Sequence, residues 1–307
     1  MKSRTPAKAI LFGEHAVVYG EPAIAMAIDI YSHVEAELSR DFLVDNSPPD
    51  RRFHAYIITA YELSKFSGNV HVKIKSHLSA SSGLGSSASI TVGTLSTLFG
   101  MKGEWSRENI AKNAFEVEYL VQGRASPVDT STVTAGGFVI VSREPYGDKL
   151  WKIRKNSITW YVSKLKVPDI SFIIANSGVR GSTGVLVQKV YNFVTRNSFG
   201  MDIVRDIGKI TMESIKYLEE NNIEKIGELM NKNNRFLTIL GVGHKATSSI
   251  IDAVSEFSYG AKITGAGGGG SVLILPKNED KVIEILEKMK IKYYKVRQDK
   301  YGVTLFE

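Results

Sequence analysis

Two periodicities divide the chain into strands and helices. Residues 28–38 alternate, with Ile30, Val34, Ala36 and Leu38 on one face and Tyr31, His33, Glu35 and Glu37 on the other. That is the pattern of an antiparallel strand with one face in water. Residues 70–74 alternate similarly, and short apolar runs at 9–12, 138–141, 171–175, 261–263, 271–275 and 303–306 predict further strands. Helices are predicted over 53–66, closed by Gly68, and over the apolar run 90–99. The clearest helix ends at Gln122. Ser106 stands at its N-cap, Glu108 lies in its first turn, and Trp105 and Ile110 occupy the two positions of a hydrophobic staple. Ile110, Ala114, Val117 and Val121 form its apolar stripe, Ala111 and Phe115 widen it, and Gly123 ends it. Further on, 184–194, 201–220, 223–240, 246–257 and 279–291 read as helices, the last capped by Asn278. Residues 146–166 carry Trp151 and Trp160 but little pattern. Strands and helices intermix throughout, which predicts an α/β (α+β) fold. We place a boundary between two domains, 1–168 and 169–307, beside Pro168.

The stripe of the 107–122 helix carries one charge too many. Glu118 falls on its buried edge, at i+3 from Phe115, whereas Glu116 lies about 200° around from Glu118 and is free to face water. An inward carboxylate is costly unless it is paired or bound to a metal. Glu118 is therefore a candidate Mg2+ ligand, or half of a buried salt bridge.

Between the 70–74 strand and the 90–99 helix lies Ser-Ala-Ser-Ser-Gly-Leu-Gly-Ser-Ser-Ala-Ser, residues 79–89. Gly83 and Gly85 lack Cβ atoms and admit positive φ, so backbone N–H groups can crowd around one anion. The helix N-terminus adds partial positive charge. Ser86 and Ser87 add hydroxyls that can cap the helix or reach a metal. The stretch is a phosphate-holding loop or an ordinary Gly/Ser turn.

Three other stretches carry candidate chemistry. Lys8, Glu14 and His15 flank the strand 9–12 and Gly13, at a strand end where ligands bind in mixed α/β folds. Asp129 sits among small hydroxyl residues after Pro127 and reads as an N-cap, an Asx-turn or a catalytic acid. Thr264-Gly-Ala-Gly-Gly-Gly-Gly270 lets two segments, or a segment and a ligand, approach closely.

Composition narrows the partners. The 307 residues are 43% hydrophobic and 23% charged, enough for two globular domains with ample core. No apolar run reaches the length of about 18 residues that spans a bilayer. The basic start, Met1-Lys2-Ser3-Arg4, is interrupted by Thr5-Pro6-Ala7-Lys8 before any signal-peptide core, so a cytoplasmic protein without a membrane partner is expected. There is no cysteine, which excludes disulfides, thiolate metal sites and cysteine nucleophiles. The net charge of +7 is spread along the chain without a run of like charges, zinc-finger spacing or aromatic RNP-type motif, so nucleic acid is not an expected partner. His54, His71 and His77 share no metal-ligand spacing.

Three motifs in order complete the reading: Gly-Glu-His-Ala-Val-Val-Tyr-Gly at 13–20, Gly-Leu-Gly-Ser-Ser at 83–87, and the 264–270 glycine run. Together they resemble the galactokinase, homoserine kinase, mevalonate kinase and phosphomevalonate kinase (GHMP) superfamily over nearly the whole length. The first block, Leu240-Gly-Val-Gly-His244, and Glu118 eleven residues before Asp129 look like the mevalonate kinase family, in its short archaeal form.

The resemblance implies an N-terminal mixed α/β domain and a C-terminal ferredoxin-like domain, with ATP, Mg2+ and mevalonate in the cleft between them. It implies phosphorylation of the mevalonate C5 hydroxyl. Asp129 matches the catalytic aspartate and Lys8 the lysine beside it. Ser87, rather than Ser86, and Glu118 match the Mg2+ ligands. Ser81, Ser82, Gly83, Leu84, Gly85, Ser86, Ser87 and Ala88 match the nucleotide loop. Glu14, His15, Thr183, Gly265, Ala266 and Gly267 match substrate-side positions. The chain departs from the family at Ser79, where a proline is usual, and at Ser89, where a small apolar residue is usual. The Walker pattern is absent. Alternatives are another small-molecule kinase of this superfamily, acting on phosphomevalonate or on the 3-hydroxyl of mevalonate, and a non-catalytic basic RNA- or protein-binding module. A homodimer is left open.

Overall fold

The computed structural model describes residues 1–77, 82–181 and 183–307, and of Thr183 the backbone alone. The first half runs β1 (Lys2–Phe12), β2 (Ala23–Leu38), β3 (Leu43–Val44), α1 (Arg51–Ser64), β4 (Val70–Ser76), α2 (Ser86–Met101), α3 (Arg107–Gln122), α4 (Val128–Ala135), β5 (Phe138–Ser142), β6 (Asp148–Lys155) and β7 (Ile158–Leu165). The second half runs β8 (Phe172–Asn176), α5 (Thr183–Arg196), α6 (Ser198–Glu219), α7 (Ile223–Ile239), α8 (Lys245–Val254), β9 (Ser258–Thr264), β10 (Ser271–Pro276), α9 (Glu279–Lys288), β11 (Lys292–Val296) and β12 (Thr304–Phe306).

The first sheet is ordered β12-β1-β2-β5-β7-β6, with β4 and β3 attached beside β2. The long strand β2 serves two partners: 32–38 pair with β4, and 23–26 pair with β5. Its first six residues, Ala-Ile-Ala-Met-Ala-Ile, are buried on both faces and do not alternate. The alternation that predicts a strand therefore begins only at residue 28. The unpatterned 146–166 segment is the β6–β7 hairpin. Trp151 and Trp160 are buried there, with indole N–H groups donating to Ser131 Oγ at 3.2 Å and the Val17 carbonyl at 3.3 Å.

α2 carries no charged side chain and is buried nearly all round. Val92, Leu95 and Phe99 pack with Ile110, Ala114 and Val117 of α3 and with Val133 of α4. Trp105 joins this cluster beside Ile110, as the staple predicts. The 124–137 stretch, expected as a turn, contains α4 instead. Its run of threonine, serine and valine has weak helix propensity, and burial of seven of its eight residues decides the conformation.

The second sheet is ordered β11-β8-β10-β9, all antiparallel. Ile173, Ala175, Val272 and Ile274 face α8 and α9. Phe172, Ile174 and Leu273 face a larger cluster shared with α6, α7 and the first sheet, including Phe12, Ile24 and Phe138. One apolar core thus runs through both halves. After β11 the chain returns to the first sheet, where β12 pairs with β1.

Candidate active site

β1 ends at Gly13, whose φ is +94°, and a Cβ there would lie 2.4 Å from both the Pro22 carbonyl and Ala23 Cα. Only glycine fits this tight return. Upstream on β1, Lys8 is 2% exposed. Its ammonium donates to the Gly83 carbonyl at 3.0 Å and pairs with Asp129 Oδ1 at 3.0 Å. A Cβ on Gly85 would stand 2.8 Å from Lys8 Cγ, so this glycine leaves the lysine its path. Asp129 sits in the first turn of α4, not at its N-cap, and is 26% exposed.

The glycine loop leads into α2 with Gly85 at the N-cap position. Gly83 and Gly85 have φ of +79° and +75°. The first amides of α2, those of Ser86, Ser87 and Ala88, have no acceptor within the helix, and their dipoles add partial positive charge. Ser82 Oγ is buried without a hydrogen-bond partner. The side chains of Leu84 and Ala88 point into the core, so these two residues can offer only backbone. Ser79 and Ser81 lie outside the described residues. The loop abuts the C-terminal glycine run: a Cβ on Gly83 would meet the Thr264 carbonyl at 2.7 Å, and one on Gly265 the Gly83 carbonyl at 2.9 Å.

Glu118 lies beside this loop on α3, buried as its helical position predicts, while Glu116 reaches Lys155 at 2.5 Å. Glu118 Oε1 accepts from Gln122 Nε2 at 3.3 Å, and Oε2 has no partner. Burial pushes this carboxyl up to about 8; the Asp129 carboxylate adds to the rise and Lys8 opposes it. An unsatisfied buried oxygen next to a second carboxylate is donor chemistry that suits a divalent cation. No group of three or more acidic or histidine side chains among the described residues could hold a metal. Mg2+ held by one or two carboxylates and completed by phosphate and water needs no such group.

On the other wall, Glu14 is 2% exposed, pairs with the fully buried Lys262, and accepts from Asn233 Nδ2 at 3.0 Å. Burial pulls the Lys262 ammonium below its ordinary value, and Glu14 opposes that shift. His15 has φ of +62°, and its Nε2–H donates to the Ala266 carbonyl at 3.0 Å. Burial holds this imidazole below its usual value, which keeps it neutral near pH 7. Gly265 and Ala266 face the cleft, but Gly267 packs away from it, where a Cβ would meet the Val242 carbonyl at 2.3 Å. The Thr183 side chain lies outside the described residues. The cleft so formed has a volume of about 680 Å³ and brings Lys8, Glu14, His15, Ser82, Gly83, Gly85, Ser86, Ser87, Glu118 and Asp129 together.

Comparison with known proteins agrees with this geometry. The family profile for GHMP kinases N terminal domain matches residues 54–137, and that for GHMP kinases C terminal matches 214–295. The chain is 35% identical to the mevalonate kinase of Methanocaldococcus jannaschii, covering 93% of this chain and 94% of that one. It is 33% identical to the mevalonate kinase of Thermococcus sibiricus, covering 90% of each. The chain belongs to the GHMP kinases, in the mevalonate kinase family. The crystal structure of the Methanococcus jannaschii mevalonate kinase superposes with a TM-score of 0.78 at 30% identity, over 97% of this chain and 98% of that one. A phosphomevalonate kinase of Streptococcus pneumoniae superposes with 0.79 at 16% identity, over 97% and 99%, and at that identity shows the fold alone.

Several cleft residues of this GHMP kinase escape a reading of the sequence. Tyr56 from α1 accepts from Gln122 at 2.9 Å and lies in the cleft wall. Gln122 has a legible signal, its i+4 spacing from Glu118. Lys262, fully buried behind the cleft wall, has one too: a lysine between Ala261 and Ile263 in a strand flanked by apolar residues. Arg124, whose guanidinium lies 3.8 Å above the Tyr191 ring, and Val187 have none, because α5 reaches the cleft only through tertiary packing.

Proposed function

We propose that this GHMP kinase transfers the γ-phosphoryl group of ATP to the C5 hydroxyl of mevalonate. The Lys8–Asp129 pair beside the glycine loop carries the reading, because this arrangement deprotonates an alcohol next to a phosphate cradle. Asp129 accepts the hydroxyl proton. The hydroxyl oxygen bonds to the γ-phosphorus as its bond to the bridging oxygen breaks, and ADP leaves. Lys8 pairs with Asp129 and neutralises charge growing on the transferring oxygens. The amides of Ser86, Ser87 and Ala88, with those of the loop, hold the phosphates. Glu118, through its unpartnered oxygen, and Ser87 would hold Mg2+, which supplies charge neutralisation along the triphosphate.

His15, Gly265, Ala266 and Thr183 are assigned to the acceptor side. The reading keeps 1–168 and 169–307 as its two units, with the terminal segment crossing back to the first. It assigns the enzyme to the cytoplasm, with a small-molecule partner. ADP release with Mg·ATP and, in turn, mevalonate, phosphomevalonate, galactose and homoserine tests it. Turnover is expected with mevalonate; turnover only with another acceptor would replace the substrate.

A further inference from the structure

Lys262 stands inside strand β9, and its side chain has no exposure. Nothing in the phosphoryl-transfer chemistry uses it. Its ammonium pairs with Glu14 Oε1 and donates to the carbonyls of Ile263 at 2.7 Å and Ile10 at 3.4 Å. Glu14 spends its other oxygen on Asn233 of α7. Glu14 borders the cleft, yet its side chain is only 1% exposed and both carboxylate oxygens are already engaged.

The cluster sits at a break in the first sheet. Ile10 pairs with Ala25 just before the β1–β2 register shifts past Leu11, and on the other edge of β1 the strand β12 pairs only with residues 2–4 and does not reach Ile10. β9 supplies replacements: Thr264 Oγ1 accepts from the Ile10 amide at 2.9 Å and donates to its carbonyl at 3.1 Å, beside the Lys262 ammonium. β9 is itself an edge strand, and α7 covers that edge. Asn231 and Asn234 accept from the amides of Ala261 and Ile263 at 3.0 and 3.2 Å, and Asn233 between them reaches Glu14. Close approach of Gly227 to Gly260 keeps the helix against the strand.

We propose that Lys262, Glu14 and Asn233 form a buried clasp that positions the acceptor wall of the cleft. The clasp ties β9 to the bulge of β1 at Ile10, two residues from Lys8, and to Glu14, which adjoins His15. The chain leaving β9 becomes Gly265 and Ala266, and Ala266 holds His15. Removing one partner leaves a buried charge unpaired and frees this wall; removing both leaves no charge to compensate. The catalytic part of this inference rests on the proposed function.

The test is a cycle of Glu14→Gln, Lys262→Met and the double variant, each checked for folding by urea unfolding. We expect each single variant to raise the acceptor KM and lower kcat, together about a hundredfold in kcat/KM. Affinity for a non-hydrolysable ATP analogue should stay within about twofold. The double variant should exceed either single variant in kcat/KM. Amide exchange across 264–270 should quicken in the single variants and partly recover in the double, a readout independent of the acceptor. Losses that multiply in the double variant, equal weakening of nucleotide binding, or a defect in Glu14→Gln with Lys262→Met unaffected would overturn the clasp. Coupled exchange in a protein that never turns over mevalonate would retain the clasp and overturn the substrate instead.

Discussion

Lys8 does two jobs through one ammonium: it fixes the glycine loop through the Gly83 carbonyl and pairs with Asp129 Oδ1. Asp129→Asn keeps the shape but cannot accept a proton. Turnover should fall about a thousandfold, with nucleotide affinity retained; near-normal turnover in a stopped assay would remove Asp129 as the base. Glu118 makes a pH prediction. Its carboxyl is raised to about 8, so the folded metal-free protein holds a proton that the unfolded chain has released. The stability this gives is complete below the ordinary carboxylate range and is lost as pH rises through about 8. If Glu118 holds Mg2+ as proposed, binding must displace that proton, so Mg·ATP affinity should rise from about pH 6 to about pH 8, by up to about tenfold per unit. Calorimetric titration should show Glu118→Gln flattening this profile. An unchanged profile would remove Glu118 from the metal site.

At the scale of elements, the site is two glycine segments pressed together under a helix N-terminus. Gly85 is one of the tight points, with φ of +75° and Lys8 Cγ 2.8 Å from where a Cβ would stand. Gly85→Ala should cost about 1–2 kcal/mol for the left-handed residue. It should also lower kcat further than that stability loss explains, because Lys8 must move; urea unfolding beside kinetics separates the two. Normal kcat in a destabilised variant would show that the lysine tolerates the shift. These segments were legible because their composition is their function: Gly83, Gly85 and Gly265 are where backbone must touch backbone or Lys8. The side of α3 that buries Glu118 was legible from helical spacing. α4 was not, since its hydroxyl and β-branched residues favour a turn locally and only tertiary burial makes them helical. β11 was missed for a related reason: Lys-Tyr-Tyr-Lys-Val is an edge strand paired with β8 and half in water.

At the scale of the molecule, the chain's end returns to its beginning. Asp299 accepts from Tyr31 Oη at 2.9 Å and from the amides of Tyr301 and Gly302 at 3.0 and 2.6 Å. Burial and this carboxylate push the Tyr31 hydroxyl up to about 12. Asp299→Ala should destabilise the fold by about 2–4 kcal/mol in urea unfolding, since it strips one buried and two partly buried donors of their acceptor. A change below about 0.5 kcal/mol would show that the terminal segment is not fastened there. The return of β12 to β1 was not legible, because an apolar run of a few residues does not say which sheet it joins. The cleft between the sheets was legible only through the joint order of motifs. Lys262 and Asn233, which hold its far wall, belong to no motif. The measurement that bears most directly on this enzyme's chemistry is 31P and 13C NMR of the product made from Mg·ATP and mevalonate. Phosphorus coupling to C5 is the expected result. Coupling to C3, or no phosphorylated mevalonate from folded enzyme, would contradict the 5-kinase reading.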